Sequence, residues 1–168
     1  EKSKIPYTIQ KDLNKQKIKQ QLEELKQEGY ESIGISLMHS WIFHDHEFQI
    51  RTLANELGFK FVCVSHELSK TIGYLSRTST TLLDAYLTPI LRKYLDRLLS
   101  KFDKHDFPVF FMQSDGAIVE ASHFSGSRSI LSGPAGGITG YAKTTKSRTF
   151  DYKRVIGFDM GGTSTDVS

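Results

Sequence analysis

The chain has one cysteine, Cys63, and one tryptophan in 168 residues. A single thiol forms no internal disulfide and no cysteine-based zinc site. That usage fits a reducing, cytoplasmic setting. No apolar run approaches the ~20 residues that span a bilayer, so no membrane role is expected. The opening EKSKIPYTIQ carries no apolar stretch, and no secretory leader is expected there. An excess of one charge is lacking too, since 22 Lys+Arg against 19 Asp+Glu leaves only +3. Lys2, Lys4, Lys11, Lys15, Lys17 and Lys19 crowd the start, but Glu23, Glu24 and Glu28 soon balance them. A nucleic-acid face needs a stronger basic stripe with interleaved aromatics, so this pattern reads as a solvated helix face. What remains is the composition of a globular chain, 38% hydrophobic and 24% charged, long enough for one domain or two small lobes.

Apolar spacing predicts an α/β organisation. Ile18, Leu22 and Leu25 mark a helix over 12–28, with Gly29 placed to end it. Ser32 to Met38 reads as a short buried strand of the parallel kind. Asp45 to Leu57 reads as a second helix stopped by Gly58, and Phe59 to Val64 as a second strand, which together make a βαβ unit. From Thr78 to Phe102 the period is helical, with Leu82, Leu83, Tyr86, Ile90, Leu91, Tyr94, Leu95 and Leu98 expected to face the core. Pro89 predicts a kink or break near Thr88. Val109 to Met112 is expected as a strand, 122–129 as a loop, 134–142 as a short helix capped by Ser132 or Gly133, and 144–153 as a basic connector. Val155 to Phe158 is expected as a last, buried strand.

The strongest signal follows that strand: Asp159-Met160-Gly161-Gly162-Thr163-Ser164-Thr165-Asp166. Glycines let a backbone approach a phosphate closely and aim N–H groups at its oxygens. Thr163 and Thr165 add hydroxyls. Asp159 and Asp166 supply hard oxygens suited to a hydrated Mg²⁺. The segment is neither the lysine-bearing phosphate loop nor the dinucleotide fingerprint. The plain alternative is an ordinary hairpin turn. A chain stopping in the middle of such a returning strand leaves backbone groups unpaired, so the sequence reads as an internal piece of a longer protein.

Asp159 to Asp166 resembles the second phosphate-binding hairpin of the superfamily of actin, heat-shock chaperones and sugar kinases, whose fold is ribonuclease H-like. Ser132 to Ala142, with Gly133, Gly136 and Gly137, resembles the connecting helix before that hairpin. Glycines inside a helix cost about 1 kcal/mol each, so they imply a close approach by a helix or a nucleotide. The segments RTSTT, DAYLTP, MQSDG, LSGPAGG and FDMGGTSTDVS together resemble the hydantoinase A/oxoprolinase family, on its 5-oxoprolinase side. The resemblance implies a partial actin-like ATPase fold. Residues 1–73 would be the C-terminal part of the N-terminal lobe. Residues 74–168 would begin the hydantoinase A domain with its connecting helix and second hairpin.

It also implies ATP-driven opening of 5-oxo-L-proline to L-glutamate through phosphorylation of the lactam. Mg²⁺, and a monovalent cation such as K⁺, would assist. Further implied partners are a hydantoinase B-like half, on the same chain or separate, and a second copy in a homodimer. Asp159 would then be a ligand of a Mg²⁺-bound water or the group that orients the nucleophile. Gly161, Gly162, Thr163 and Thr165 would cradle phosphate, with Gly133, Gly136 and Gly137 beside them. Asp166 would hold metal waters or brace the hairpin. The alternatives are a hydantoin hydrolase of the same family and an actin-like nucleotide switch or chaperone.

Three further groups are open at this point. Gln113-Ser114-Asp115-Gly116 follows a strand and is either a substrate-pocket turn or a turn that caps its own backbone. Arg77 and the hydroxyls of 78–81 stand at a helix start, as an anion seat or as caps. His39, Trp41, His44, His46 and Glu47 cluster, and His44 with His46 suggests a metal pair, although two histidines do not complete a site. Cys63 is expected as inert core.

Overall fold

The computed structural model describes residues 7–102, 108–146 and 154–168. The first elements are α1 (Lys15–Gln27), β1 (Ser32–Ile35), α2 (Asp45–Glu56), β2 (Phe61–Val64) and a single turn α3 (Ser65–Leu68). Next come α4 (Tyr74–Leu99), β3 (Phe110–Met112), β4 (Ile118–Glu120), α5 (Ser132–Lys146), β5 (Phe158–Met160) and β6 (Thr165–Val167). The chain forms two compact units, 1–92 and 93–168, so the division falls inside α4. Among the described residues no helix is long and apolar enough to cross a membrane.

In the first unit β1 and β2 pair in parallel, with Ile33 beside Val62 and Gly34 beside Cys63. This is the expected βαβ unit, with strands shorter than the apolar runs. Alternation along the strand sorts its side chains to two faces. Ile33 and Val62 pack with Ile18, Leu22, Ile50, Leu53 and Ala54 of α1 and α2. Asn14 caps α1 by accepting the Lys17 N–H, and Gly29 and Gly58 end α1 and α2 with φ of +92° and +78°. Gly34 and Cys63 turn the other way, to α4. A methyl group on Gly34 would lie 3.1 Å from the Thr81 carbonyl oxygen and 3.3 Å from Ala85 Cβ. Glycine is therefore what lets α4 lie down on β1.

Of the kink or break expected at Pro89, the break does not occur: the helix runs unbroken from Tyr74 to Leu99. A proline withholds the N–H that the carbonyl four residues earlier needs, here that of Ala85. The Ser32 hydroxyl donates to that same Ala85 carbonyl. The strand thus satisfies the acceptor that the proline leaves open, and the helix continues. The expected apolar core face is fully buried only at Leu95, which is 3% exposed. Leu82 is 59% exposed and Tyr86 70% exposed, and Leu83, Ile90 and Tyr94 are exposed as well. The buried side carries Arg77, Thr81, Asp84, Ala85 and Thr88. Their polar groups find partners, as in the bonds from the Thr88 hydroxyl to Asp84 Oδ1 and from the Thr81 hydroxyl to the Arg77 carbonyl. Burial there follows hydrogen-bond satisfaction rather than apolarity.

The second unit holds two antiparallel hairpins and α5. In the first hairpin Phe110 pairs with Glu120 and Met112 with Ile118. The stretch expected as a loop over 122–129 contains two short 3₁₀ turns. The helix α5 is longer than expected, running from Ser132 to Lys146, so the first part of the expected connector is helical. The remainder of that connector, 147–153, lies outside the described residues.

Candidate functional site

The second hairpin pairs Phe158 with Val167, Asp159 with Asp166 and Met160 with Thr165. Gly157 and Ser168 exchange both backbone bonds below it, at 2.7 and 3.0 Å, and the Gly161 N–H bonds the Ser164 carbonyl above it. Gly162 and Thr163 form the tip. The register sets Asp159 and Asp166 directly opposite, with both side chains on one face. Like charges opposed across a ladder repel, so this pair favours a cation between or beside the carboxylates. Neither Gly161 nor Gly162 has a left-handed φ. Nothing lies within 4 Å of where a Cβ on Gly162 would stand. Clearance is what these glycines supply, and it leaves the tip backbone open to a ligand.

The last strand is neither placed nor buried as expected: it runs Phe158–Met160 rather than 155–158, and its side chains are exposed. Phe158 is 63% exposed, and Met160 and Val167 are exposed too. The hairpin has two strands only, so no neighbouring strand covers these side chains among the described residues. Gly157 alone is buried there.

Gly133, Gly136 and Gly137 of α5 differ in what they face. Gly133 looks into open space, and Gly136 packs toward Met112 Sδ. Gly137 faces the hairpin: a methyl group there would sit 3.1 Å from Asp159 Oδ2 and 3.0 Å from the Tyr141 hydroxyl oxygen. The Tyr141 ring in turn covers Gly157, where an added Cβ would fall 2.1 Å from a ring carbon. Partial removal from water, then the charges of Asp159 and Asp166, raise the Tyr141 hydroxyl above its ordinary pKa. Sequence reading missed Tyr141 and Gly157, because no local pattern joins them.

The turn after β3 is a three-residue hairpin loop in which Gly116 takes the left-handed conformation, φ +81°. Asp115 Oδ1 accepts the Ala117 N–H at 2.9 Å. Ser114 Oγ donates to the Arg128 carbonyl and accepts the Leu131 N–H. Gln113 is buried, with Oε1 3.5 Å from Arg128 Nη1. Asp115 thus caps its own turn, and Ser114 ties down the segment leading into α5.

In the first unit, Arg77 directs its whole guanidinium at the protein. Nε donates to Ser65 Oγ, Nη1 to the Thr71 and Ile72 carbonyls, and Nη2 to the Leu37 and Met38 carbonyls. All five of its N–H donors are engaged and the side chain is fully buried. It is neither a helix cap nor an open anion seat in this structure. Glu47, also buried, accepts from the Leu37 N–H, the Ser65 hydroxyl and the His66 N–H, and pairs with His66 Nδ1 at 2.7 Å. Burial pushes its carboxyl up, but the bonds from Ser65, His66 and Leu37 outweigh this and hold it below the usual carboxylate range. His44 stacks on His66 with ring centroids 4.7 Å apart. His39 and His46 line a separate hollow of about 620 Å³ with Tyr7, Leu37, Phe43 and Asp45. Among the described residues no three His, Cys, Asp or Glu side chains group as a metal site. Cys63 is buried, and burial pushes its thiol up to about 12.

The parallel βαβ layer under α4 and the acid-flanked glycine hairpin beside a glycine-bearing helix make this an α/β chain. The hydantoinase/oxoprolinase family model matches residues 77–168, and the model of that family's N-terminal region matches residues 1–58. The chain belongs to the hydantoinase/oxoprolinase family. It is 42% identical over 168 residues to a 5-oxoprolinase of Dictyostelium discoideum, matching 92% of this chain but 13% of that protein. Its fold is similar to that of the ATP-dependent caprolactamase from Pseudomonas jessenii, with a TM-score of 0.81 and 27% identity over 98% of this chain and 25% of that one. Nucleotide-free acetone carboxylase is similar too, with a TM-score of 0.80 and 26% identity over 93% of this chain and 23% of that one. The chain therefore spans about an eighth of the 5-oxoprolinase and a quarter of the two solved proteins.

Proposed function

We propose that this chain is the phosphate-holding segment of a longer, cytoplasmic ATP-dependent 5-oxoprolinase, and that the hairpin from Asp159 to Asp166 holds the phosphates of Mg-ATP. The observation that carries the reading is the hairpin's register. It sets two carboxylates side by side below an uncrowded glycine tip, a hard-oxygen donor pair that fits a hydrated Mg²⁺. The 42% identity to a 5-oxoprolinase supports the choice of substrate.

A lactam is a poor electrophile, and bound Mg-ATP would supply the phosphoryl group that activates its carbonyl carbon to water; the ring nitrogen would leave as the C–N bond breaks, and a second water would release phosphate from the acyl phosphate. The chain's own part is positional. The Gly161 and Gly162 backbone and the Thr163 hydroxyl would fix the phosphate, while Asp159 and Asp166 would hold metal-bound waters in line with it. Thr165 would add a hydroxyl at the end of β6. Gly136 and Gly137 would keep α5 close behind the hairpin, with Gly133 at the helix entry. Gln113, Ser114, Asp115 and Gly116 would act by holding the approach to α5, and Arg77 by fixing the loop after β1. A hydantoinase B-like half and a second copy would complete the enzyme.

The test uses the full-length protein with Mg-ATP, measuring ADP release with 5-oxo-L-proline, with a hydantoin, and with neither. Release driven by 5-oxo-L-proline, with matching glutamate, is expected. Asp159→Asn should lower that turnover by about 100-fold, the scale of losing one electrostatic stabiliser. Release driven by hydantoin alone would replace the substrate in this reading. ATP binding without stimulation by either would replace it with a nucleotide switch.

A further inference from the structure

Tyr141 stands in α5, apart from the glycines and acids that point to a phosphate site, and its ring also meets the base of the hairpin. Its ring occupies the notch that Gly157 leaves at the base of β5, where any side chain would collide with ring carbons at 2.1 and 2.2 Å. Its hydroxyl oxygen and Asp159 Oδ2 stand at 3.0 and 3.1 Å from the same point on Gly137. One side chain therefore joins α5 to the base of the hairpin and presents a hydroxyl on the helix face that Asp159 also meets. Gly137 and Gly157 are the two places where a β-carbon would separate these groups.

We propose that Tyr141 is a positioning residue for the Asp159 carboxylate. Its ring, seated on Gly157, fixes the spacing between α5 and β5, and its hydroxyl limits the orientations open to the carboxylate. The inference rests on the phosphate-site reading of the hairpin. A carboxylate that must hold a metal-bound water in line with a phosphate loses rate when its orientation spreads, even if nucleotide still binds. The role thus appears in kcat rather than in KM.

The experiment compares the full-length wild type with Tyr141→Phe, Gly157→Ala and Asp159→Asn, reading kcat and KM for ATP and the melting temperature. Tyr141→Phe keeps the ring and removes only the hydroxyl. It should lower kcat about 10-fold, leave KM for ATP within about 2-fold, and melt with the wild type. Gly157→Ala keeps the hydroxyl and displaces the ring. It should lower kcat at least as much, so the proposal remains testable if either variant folds poorly. An inactive Asp159→Asn beside a Tyr141→Phe with wild-type kcat overturns the positioning role and leaves the phosphate site standing. Equal losses in kcat and in melting temperature for Tyr141→Phe mark a structural residue and overturn it as well. Full activity in Asp159→Asn overturns both readings.

Discussion

Arg77 shows how a residue suited to anion binding becomes a structural tie. Its five N–H groups end on four carbonyls and a hydroxyl, drawn from β1's exit, the α3 turn and the loop before α4. Lysine offers three donors from a point and cannot copy that fork. Arg77→Lys should destabilise the folded chain by about 3 kcal/mol, read as a lowered midpoint in urea. Glu47 sets a pH dependence with a definite sign. Its folded pKa lies below the ordinary 4.5, so its contribution is complete above that value and is lost as pH falls through the lowered folded one. Glu47→Gln should be less stable at neutral pH and show a flatter acid limb in a melting series. Cys63 offers a direct check of burial. With the thiol pushed up to about 12, a thiol reagent at pH 8 should leave it unmodified in the folded chain and label it fully after unfolding.

At the scale of elements, α4 decides how much could be read in advance. Ile18, Leu22, Ile50 and Leu53 repeat with the helical period because α1 and α2 bury one apolar side, and that pattern stands in the sequence. In α4 much of the periodic apolar side, Leu82 and Tyr86 foremost, lies exposed while a small, polar side packs on β1. Periodicity alone cannot distinguish the two, since the packed side depends on partners in other elements. Those partners make a prediction. Gly34→Val should cost about 1–3 kcal/mol, because the Thr81 carbonyl cannot move aside as a side chain could. Exchanging Leu82 and Tyr86 for serine should change stability by no more than about 0.5 kcal/mol and reduce aggregation, measured by urea titration and light scattering.

For the whole molecule, the reach of sequence reading differs between fold and site. The α/β class, the parallel pair and the acid–glycine–glycine–acid turn are local in sequence and were legible. The contact of Tyr141 with Gly157, and of Gly137 with Asp159, joins segments far apart in the chain. It needed coordinates. The burial expected for β5 came from its composition alone, and composition does not say whether a neighbouring strand is at hand. The chain covers 13% of a 5-oxoprolinase relative, so the purified 168-residue chain should show no ADP release stimulated by 5-oxo-L-proline. The full-length protein under the same conditions should. Robust turnover by the short chain would place the whole catalytic apparatus within it.

The serine beneath the proline has a historical consequence. Because the Ser32 hydroxyl takes the Ala85 carbonyl that Pro89 leaves open, the two positions are epistatic. A lineage can admit proline at 89 at small cost only once the hydroxyl is in place, and it can lose the hydroxyl at small cost only after the proline has gone. The order of substitution is therefore constrained by one hydrogen bond: the serine is permissive for the proline, and the proline then entrenches the serine.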